Sequence, residues 1–188
     1  MLKDEVAKAF KIIQEGGIIL YPTDTIWGIG CDASNTEAVN KIYKLKQRDE
    51  AKSMLILLDT ENKLESYVSD VNPLAYDLIE YAESPLTLVM PGAKNVSPAL
   101  ISSDGSIGIR ISKHPFCQQL IQRMRKPLVS TSANISGKPS PQYFSQIDPE
   151  IIDGVDYVVD LDQHTMEIKT PSTIMRLAPD GRFEFIRR

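Results

Sequence analysis

Cysteine and histidine are scarce in this 188-residue chain, at two each. Cys31 and Cys117 stand far apart and neither has a second cysteine near it, which excludes a Cys-x-x-Cys redox pair and a zinc knuckle. Both are expected to pack as small buried hydrophobes. His114 and His164 are too few and too scattered for a histidine metal site and read as surface or loop side chains. Basic charge is in deficit as well. With 21 Lys and Arg against 25 Asp and Glu, the net charge is −4, and the chain lacks the overall positive field of a dedicated nucleic-acid binder. No apolar run approaches the ~20 residues of a membrane-spanning helix. The N-terminal stretch MLKDEVAKAFKIIQEGG carries two acids in its first five residues, where a signal peptide has basic ones, so a cytoplasmic protein is expected.

What remains is an ordinary globular composition, 42% hydrophobic and 24% charged, which argues against disorder. A chain of this length is expected to form one domain, residues 1–188, and can bury roughly 70% of its unfolded surface without a disulfide or metal. Val6, Ala9, Phe10 and Ile13 fall at i, i+3, i+4 and i+7, and Gly16-Gly17 follow, which predicts an amphipathic helix over Asp4 to Glu15. A short apolar run, Ile18 to Tyr21, predicts a buried strand ending in the polar turn Pro22-Thr23-Asp24-Thr25. Ser34 and Glu37 form a Ser-x-x-Glu capping box before Ala38, Ile42 and Leu45, predicting a second helix that ends around Lys46-Gln47-Arg48. Further strands are expected at Met54–Leu58, Leu86–Met90, Ile107–Ile111 and Leu128–Thr131, and further helices at Pro73–Ala82 and Pro115–Arg125. This alternation predicts an α/β fold, a twisted mixed β-sheet with flanking helices. Tyr157–Val159, Thr173–Met175 and Phe183–Ile186 would complete its edges.

Two glycine patterns imitate phosphate loops. Ser132 to Pro139, S-A-N-I-S-G-K-P, has Ser for the first Gly and Pro for the last hydroxyl of a P-loop, so it is not one. Gly28, Gly30 and Ala33 satisfy G-x-G-x-x-A, with Asp49 and Glu50 about twenty residues on, but they follow a polar turn instead of a strand end; a dinucleotide site is the weaker reading.

Polar clusters at the ends of predicted strands, where open α/β sheets bind ligands, are more informative. These are Pro22 to Thr25, Lys46-x-Arg48 with Lys52, Ser106 with Arg110, and Ser130 to Asn134. Residues 41–52 hold five cations against Asp49 and Glu50. Hydroxyls and an amide can fix a small polar ligand, and Lys and Arg neutralise phosphate oxygens. Each cluster also has a plain structural reading, as a helix-dipole partner, a hydrogen-bonded turn or a cap. Arg110 resists one, because a cation on an otherwise apolar strand needs an anion and none is local in sequence.

In order, the stretches GGIILYPTDTIWGIGCDASNTEAV, KIYKLKQRDEAKSMLILL, SPLTLVMPG, SIGIRISKHP, PLVSTSANISGKPSP and TPSTI resemble the YrdC-like family of threonylcarbamoyl-AMP synthases. The resemblance implies a twisted sheet around a concave cleft and a nucleotidyltransferase that joins L-threonine, bicarbonate or CO₂, and ATP into L-threonylcarbamoyl-AMP and pyrophosphate, the precursor of the t⁶A modification of tRNA. It implies that Thr25, Arg110, Ser132 and Ser172 hold threonine, with Arg110 on the carboxylate. Lys46, Arg48, Lys52, Ser106, Asn134, Gln142 and Arg187 would hold ATP, with Lys46 and Arg48 the catalytic cations, and Mg²⁺ would ride mainly on the phosphates. Transient contact with tRNA and the t⁶A transfer machinery is implied too. Trp27 stands where the family commonly has Tyr, and a chain ending at Arg188 is expected to work without the extra C-terminal domain of longer members. The alternative is a module of the same fold that binds double-stranded RNA or tRNA through the same cations, without synthase activity; its binding would fall steeply with salt.

Overall fold

The computed structural model describes residues 1–47, 54–167 and 169–188. Helix α1 (Leu2–Gln14) buries Val6, Ala9 and Ile13 and stops where Gly16 takes φ +80°. There the Gly16 and Gly17 amides return to the carbonyls of Ile13 and Ile12, closing the helix in the manner of a left-handed C-terminal cap. Strands β1 (Ile19–Tyr21) and β2 (Gly28–Gly30) lead to α2 (Thr36–Leu45) and β3 (Leu55–Leu58). The short helices α3 (Leu64–Tyr67) and α4 (Leu74–Glu80) precede β4 (Leu86–Pro91), β5 (Ser106–Ile111), α5 (Pro115–Met124) and β6 (Leu128–Ser132). Helix α6 (Pro149–Gly154) and strands β7 (Tyr157–Val158), β8 (Thr173–Leu177) and β9 (Phe183–Arg187) complete the described chain.

The strands form one mixed sheet in the order β7-β1-β2-β6-β3-β5-β4-β8-β9. Pairs β1/β7, β3/β5 and β4/β8 are parallel and the rest antiparallel. Alternation along each strand sorts the core into two layers. Ile19, Tyr21, Leu57 and Leu128 face α1 and α5. Leu20, Ile29, Ile56, Leu58, Ile109 and Val129 face the other way, against α2, α4 and α6 through Val39, Ile42, Ala75 and Ile151. Each fully buried Leu or Ile contributes roughly 1.5–3 kcal/mol relative to exposure. Both cysteines are buried, as expected, and burial pushes the Cys117 thiol up to about 12.

Two details differ from expectation. The cap of α2 is Asn35, whose Oδ1 accepts the Ala38 amide at 3.1 Å, because Ser34 is taken by Asp32: both its amide and its hydroxyl donate to Asp32 Oδ1. The G-x-G pair lies within β2, a strand the apolar pattern does not predict, between β1 and β6. Tyr21 crosses over Gly30 to donate to the Val129 carbonyl at 2.9 Å, and a Cβ on Gly30 would stand 2.1 Å from that carbonyl and 2.8 Å from the ring. This crossing is what requires the glycine.

Candidate functional site

Strand register builds the cleft. Directly opposed positions on one face run Gly28–Ser132, Ser130–Leu55, Leu55–Gly108 and Gly108–Val89; one step along lie Arg110–Thr87 and Thr87–Ile174. This is the face that α1 and α5 cover elsewhere. Where they stop, these residues line a cavity of about 220 Å³, walled by Thr25, Ile26 and Trp27 on one side and by Pro171, Ser172 and Arg187 on the other. The Trp27 ring is backed by Phe144 at 4.9 Å between centroids.

Arg110 is 4% exposed, and its partners come from the turn after β1. Nη1 donates to Thr25 Oγ1 at 2.7 Å, and Nη2 lies 3.5 Å from Asp24 Oδ1. The missing anion is therefore Asp24, brought in by the sheet. The Nε of Arg110 is buried and has no protein partner. Thr25 is fixed in turn by Thr23, whose Oγ1 lies 2.9 Å from Thr25 Oγ1 and accepts the Thr25 amide.

Arg187 arrives by a bulge. It opposes Ile174 while Phe185 opposes Met175, leaving Ile186 as the extra residue, so Arg187 turns to the cleft instead of sharing the Phe185 face. Its Nε and Nη2 donate to the Ser172 carbonyl at 3.1 and 2.7 Å, and the Ser172 hydroxyl lies 2.8 Å from Thr87 Oγ1. Among the described residues no carboxylate stands within ion-pair distance of Arg187. Burial, with the Arg110 charge added, pulls its pKa below the ordinary guanidinium value. Two guanidiniums and a ring of hydroxyls make the cleft a receptor for an anion carrying polar groups.

Thr25, Arg110, Ser132, Ser172 and Arg187 thus meet at one cavity. Among the described residues, Lys46, Ser106, Asn134 and Gln142 do not line it. Lys46, expected as a cation on ATP, is 1% exposed, and its ammonium donates to the main-chain carbonyls of Ser132 and Asn134, so it clamps the loop after β6. The Ser106 hydroxyl is committed to Asp104 at 2.6 Å. That bond, then one from Arg176 and one from the Ser106 amide, hold the Asp104 carboxyl down to about 2. Asn134 lines a neighbouring cavity of about 440 Å³, its Nδ2 bound to the Ile135 and Lys138 carbonyls and its Oδ1 buried without a partner. Gln142 borders a narrow crevice beside Thr23, Thr25 and Lys169. Arg48 and Lys52 lie outside the described residues. Sequence reasoning passed over Thr87 and Ser140, both of which line the cleft, and gave Ser130, which lines it too, no role of its own. Thr87 carried a signal, a single hydroxyl inside the apolar run Leu86-Thr87-Leu88-Val89-Met90.

The fold and cleft define an open mixed α/β sheet with an anion receptor on one face. Residues 11–188 match the Sua5/YciO/YrdC family model, described as Telomere recombination, and the chain belongs to that family. It is 34% identical over 158 residues to the threonylcarbamoyl-AMP synthase of Pseudoalteromonas translucida, covering 82% of this chain and 84% of that one. To the threonylcarbamoyl-AMP synthase of Photobacterium profundum it is 32% identical over 151 residues, 79% of this chain and 82% of that one. It superimposes on the crystal structure of P. abyssi Sua5 complexed with L-threonine with a TM-score of 0.82 at 26% identity, over 94% of this chain. It spans about half, 52%, of that longer chain.

Proposed function

We propose that the chain forms L-threonylcarbamoyl-AMP and pyrophosphate from L-threonine, bicarbonate or CO₂, and ATP, supplying t⁶A synthesis on tRNA. The observation that carries this reading is the buried, half-satisfied guanidinium of Arg110 in a cleft with room for an amino acid. Relatives similar over most of the chain bear the synthase name, and the P. abyssi Sua5 structure holds L-threonine. The threonine amine captures CO₂, and a carbamate oxygen attacks the α-phosphorus of ATP as pyrophosphate departs. Arg110 takes the threonine carboxylate, with Thr25, Ser132 and Ser172 around it. Arg187, facing Arg110, meets the negative charge of the carbamate and phosphate. Asn134 and Gln142 serve the nucleotide, Arg48 and Lys52 the phosphates, and Lys46 acts by holding the Ser132–Asn134 loop. Hydroxyls and guanidiniums are poor ligands for a dication, and the described residues bring no three His, Cys, Asp or Glu together; we therefore assign Mg²⁺ to the triphosphate. No described helix is long and apolar enough to cross a membrane, and we place the reaction, with its transient contacts to tRNA and the transfer machinery, in the cytoplasm.

Purified protein mixed with ATP is expected to release pyrophosphate only when L-threonine and bicarbonate are both present, and to keep doing so at moderate salt. Equal ATP turnover without threonine would refute the synthase, and salt-sensitive RNA binding without turnover would favour the RNA module.

A further inference from the structure

We infer that Asp24 is a positioning residue for the amino-acid substrate, acting through Arg110 and Thr25; this rests on the reading of the cleft given above. Asp24 touches two elements at once. Its Oδ1 accepts the Ser112 hydroxyl and its Oδ2 the Lys113 amide, both at 3.1 Å, which pins the turn after β1 to the residues just beyond β5. The next residue in that turn, Thr25, takes Arg110 Nη1 at 2.7 Å, and Arg110 sits on β5 itself. A closed loop results: β5 holds Asp24, Asp24 sets the turn, and the turn hands Thr25 back to a side chain of β5.

The loop fixes the rotation of the guanidinium plane. Nη1 is spent on Thr25, and the Asp24 carboxylate flanks Nη2 at 3.5 Å, too far for a strong hydrogen bond. Nε has no protein partner although Arg110 is 4% exposed. A planar fork binds a carboxylate through two parallel N–H groups, so its affinity depends on orientation more than on charge. Asp24 also serves as counter-ion, keeping a buried cation tolerable while the cleft is empty. It makes no contribution to the attack on phosphorus, and its effect is confined to how well threonine is gripped.

Asp24→Ala frees the turn from Ser112 and Lys113. The KM for L-threonine and its calorimetric Kd are expected to rise at least ten-fold, with kcat at saturating threonine and the KM for ATP each within about three-fold of the parent. Asp24→Asn keeps an amide oxygen for the Lys113 amide but turns an NH2 toward Arg110 and loses the counter-ion, and is expected to recover part of the lost affinity through the restored turn. The wild-type titration with L-threonine alone separates the two claims: no binding by the wild type refutes the substrate reading, whereas equal binding by wild type and Asp24→Ala refutes the positioning role. A parallel loss for threonine and ATP with a fallen melting temperature would reduce Asp24 to a structural residue. Tighter threonine binding by Asp24→Asn would show the carboxylate to be a competitor of the substrate, and that too overturns the inference.

Discussion

Arg110 and Lys46 are both buried cations, and their surroundings give them opposite duties. Arg110 keeps an unpartnered donor facing a cavity, while the Lys46 ammonium is engaged by main-chain carbonyls. Arg110→Lys keeps the charge but loses the fork and the reach to Thr25. Threonine affinity should fall about ten- to a hundred-fold, the scale of one charge-assisted hydrogen bond, with ATP affinity near that of the parent; calorimetric titration of each substrate measures this. Lys46→Ala should instead lower stability, by about 1–3 kcal/mol for the Asn134 carbonyl that loses its donor in the interior, seen as a fallen melting temperature, and lower activity as the Ser132–Asn134 loop loosens. A variant of unchanged stability with lost ATP affinity would return Lys46 to the phosphates. Arg110 was legible in the sequence because a charge in an alternating apolar strand stands out. Lys46 was not: a lysine closing a helix looks like a dipole partner, and only the return of the chain some ninety residues later, at Ser132 and Asn134, encloses it.

At the scale of elements, Glu5 joins α1 to the β7 edge. Burial alone would raise its carboxyl, but hydrogen bonds from Tyr157 Oη at 2.6 Å, Lys8 at 2.9 Å and the Asp160 amide at 2.8 Å outweigh burial and hold its pKa below the ordinary 4.5. A carboxyl depressed on folding stabilises the native state above its unfolded pKa, and that contribution disappears as pH falls through the folded value. Glu5→Gln should therefore lower stability at pH 7 and flatten the acid limb of a stability–pH curve below about pH 4.5, read by urea denaturation at several pH values. The strands that carry apolar side chains, β1 and β3 to β6, were legible from their runs. Strand β2 was not, because Gly28-Ile29-Gly30 offers a single side chain to any pattern, and the reason for its glycines, the Tyr21 ring, lies on another strand. The β9 bulge escaped for a similar reason: strict alternation puts Arg187 with Phe183 and Phe185, and only the pairing with β8 shows Ile186 to be supernumerary.

For the whole molecule, fold class and every strand of the sheet but β2 followed from the order of apolar runs, whereas strand order did not. Period and composition say which segments are strands; which neighbours they choose depends on the packing of both layers at once. The observed order sends residues 19–21 to pair with 157–158, and residues 86–89 with 173–176. The cleft is assembled from pieces equally far apart, with Thr25 and Trp27 opposite Ser172 and Arg187.

That dispersal bears on how the molecule comes into being. Pairings between distant segments are slow, since loop-closure entropy is spent before the contacts form. On a ribosome, the turn bearing Asp24 and Thr25 emerges long before its anchors at Arg110 and Ser112, and longer still before the β8–β9 hairpin that delivers Ser172 and Arg187. A nascent chain therefore has no amino-acid receptor at any intermediate length. Threonine can act as a ligand only of the finished fold, stabilising what has been completed without guiding its assembly.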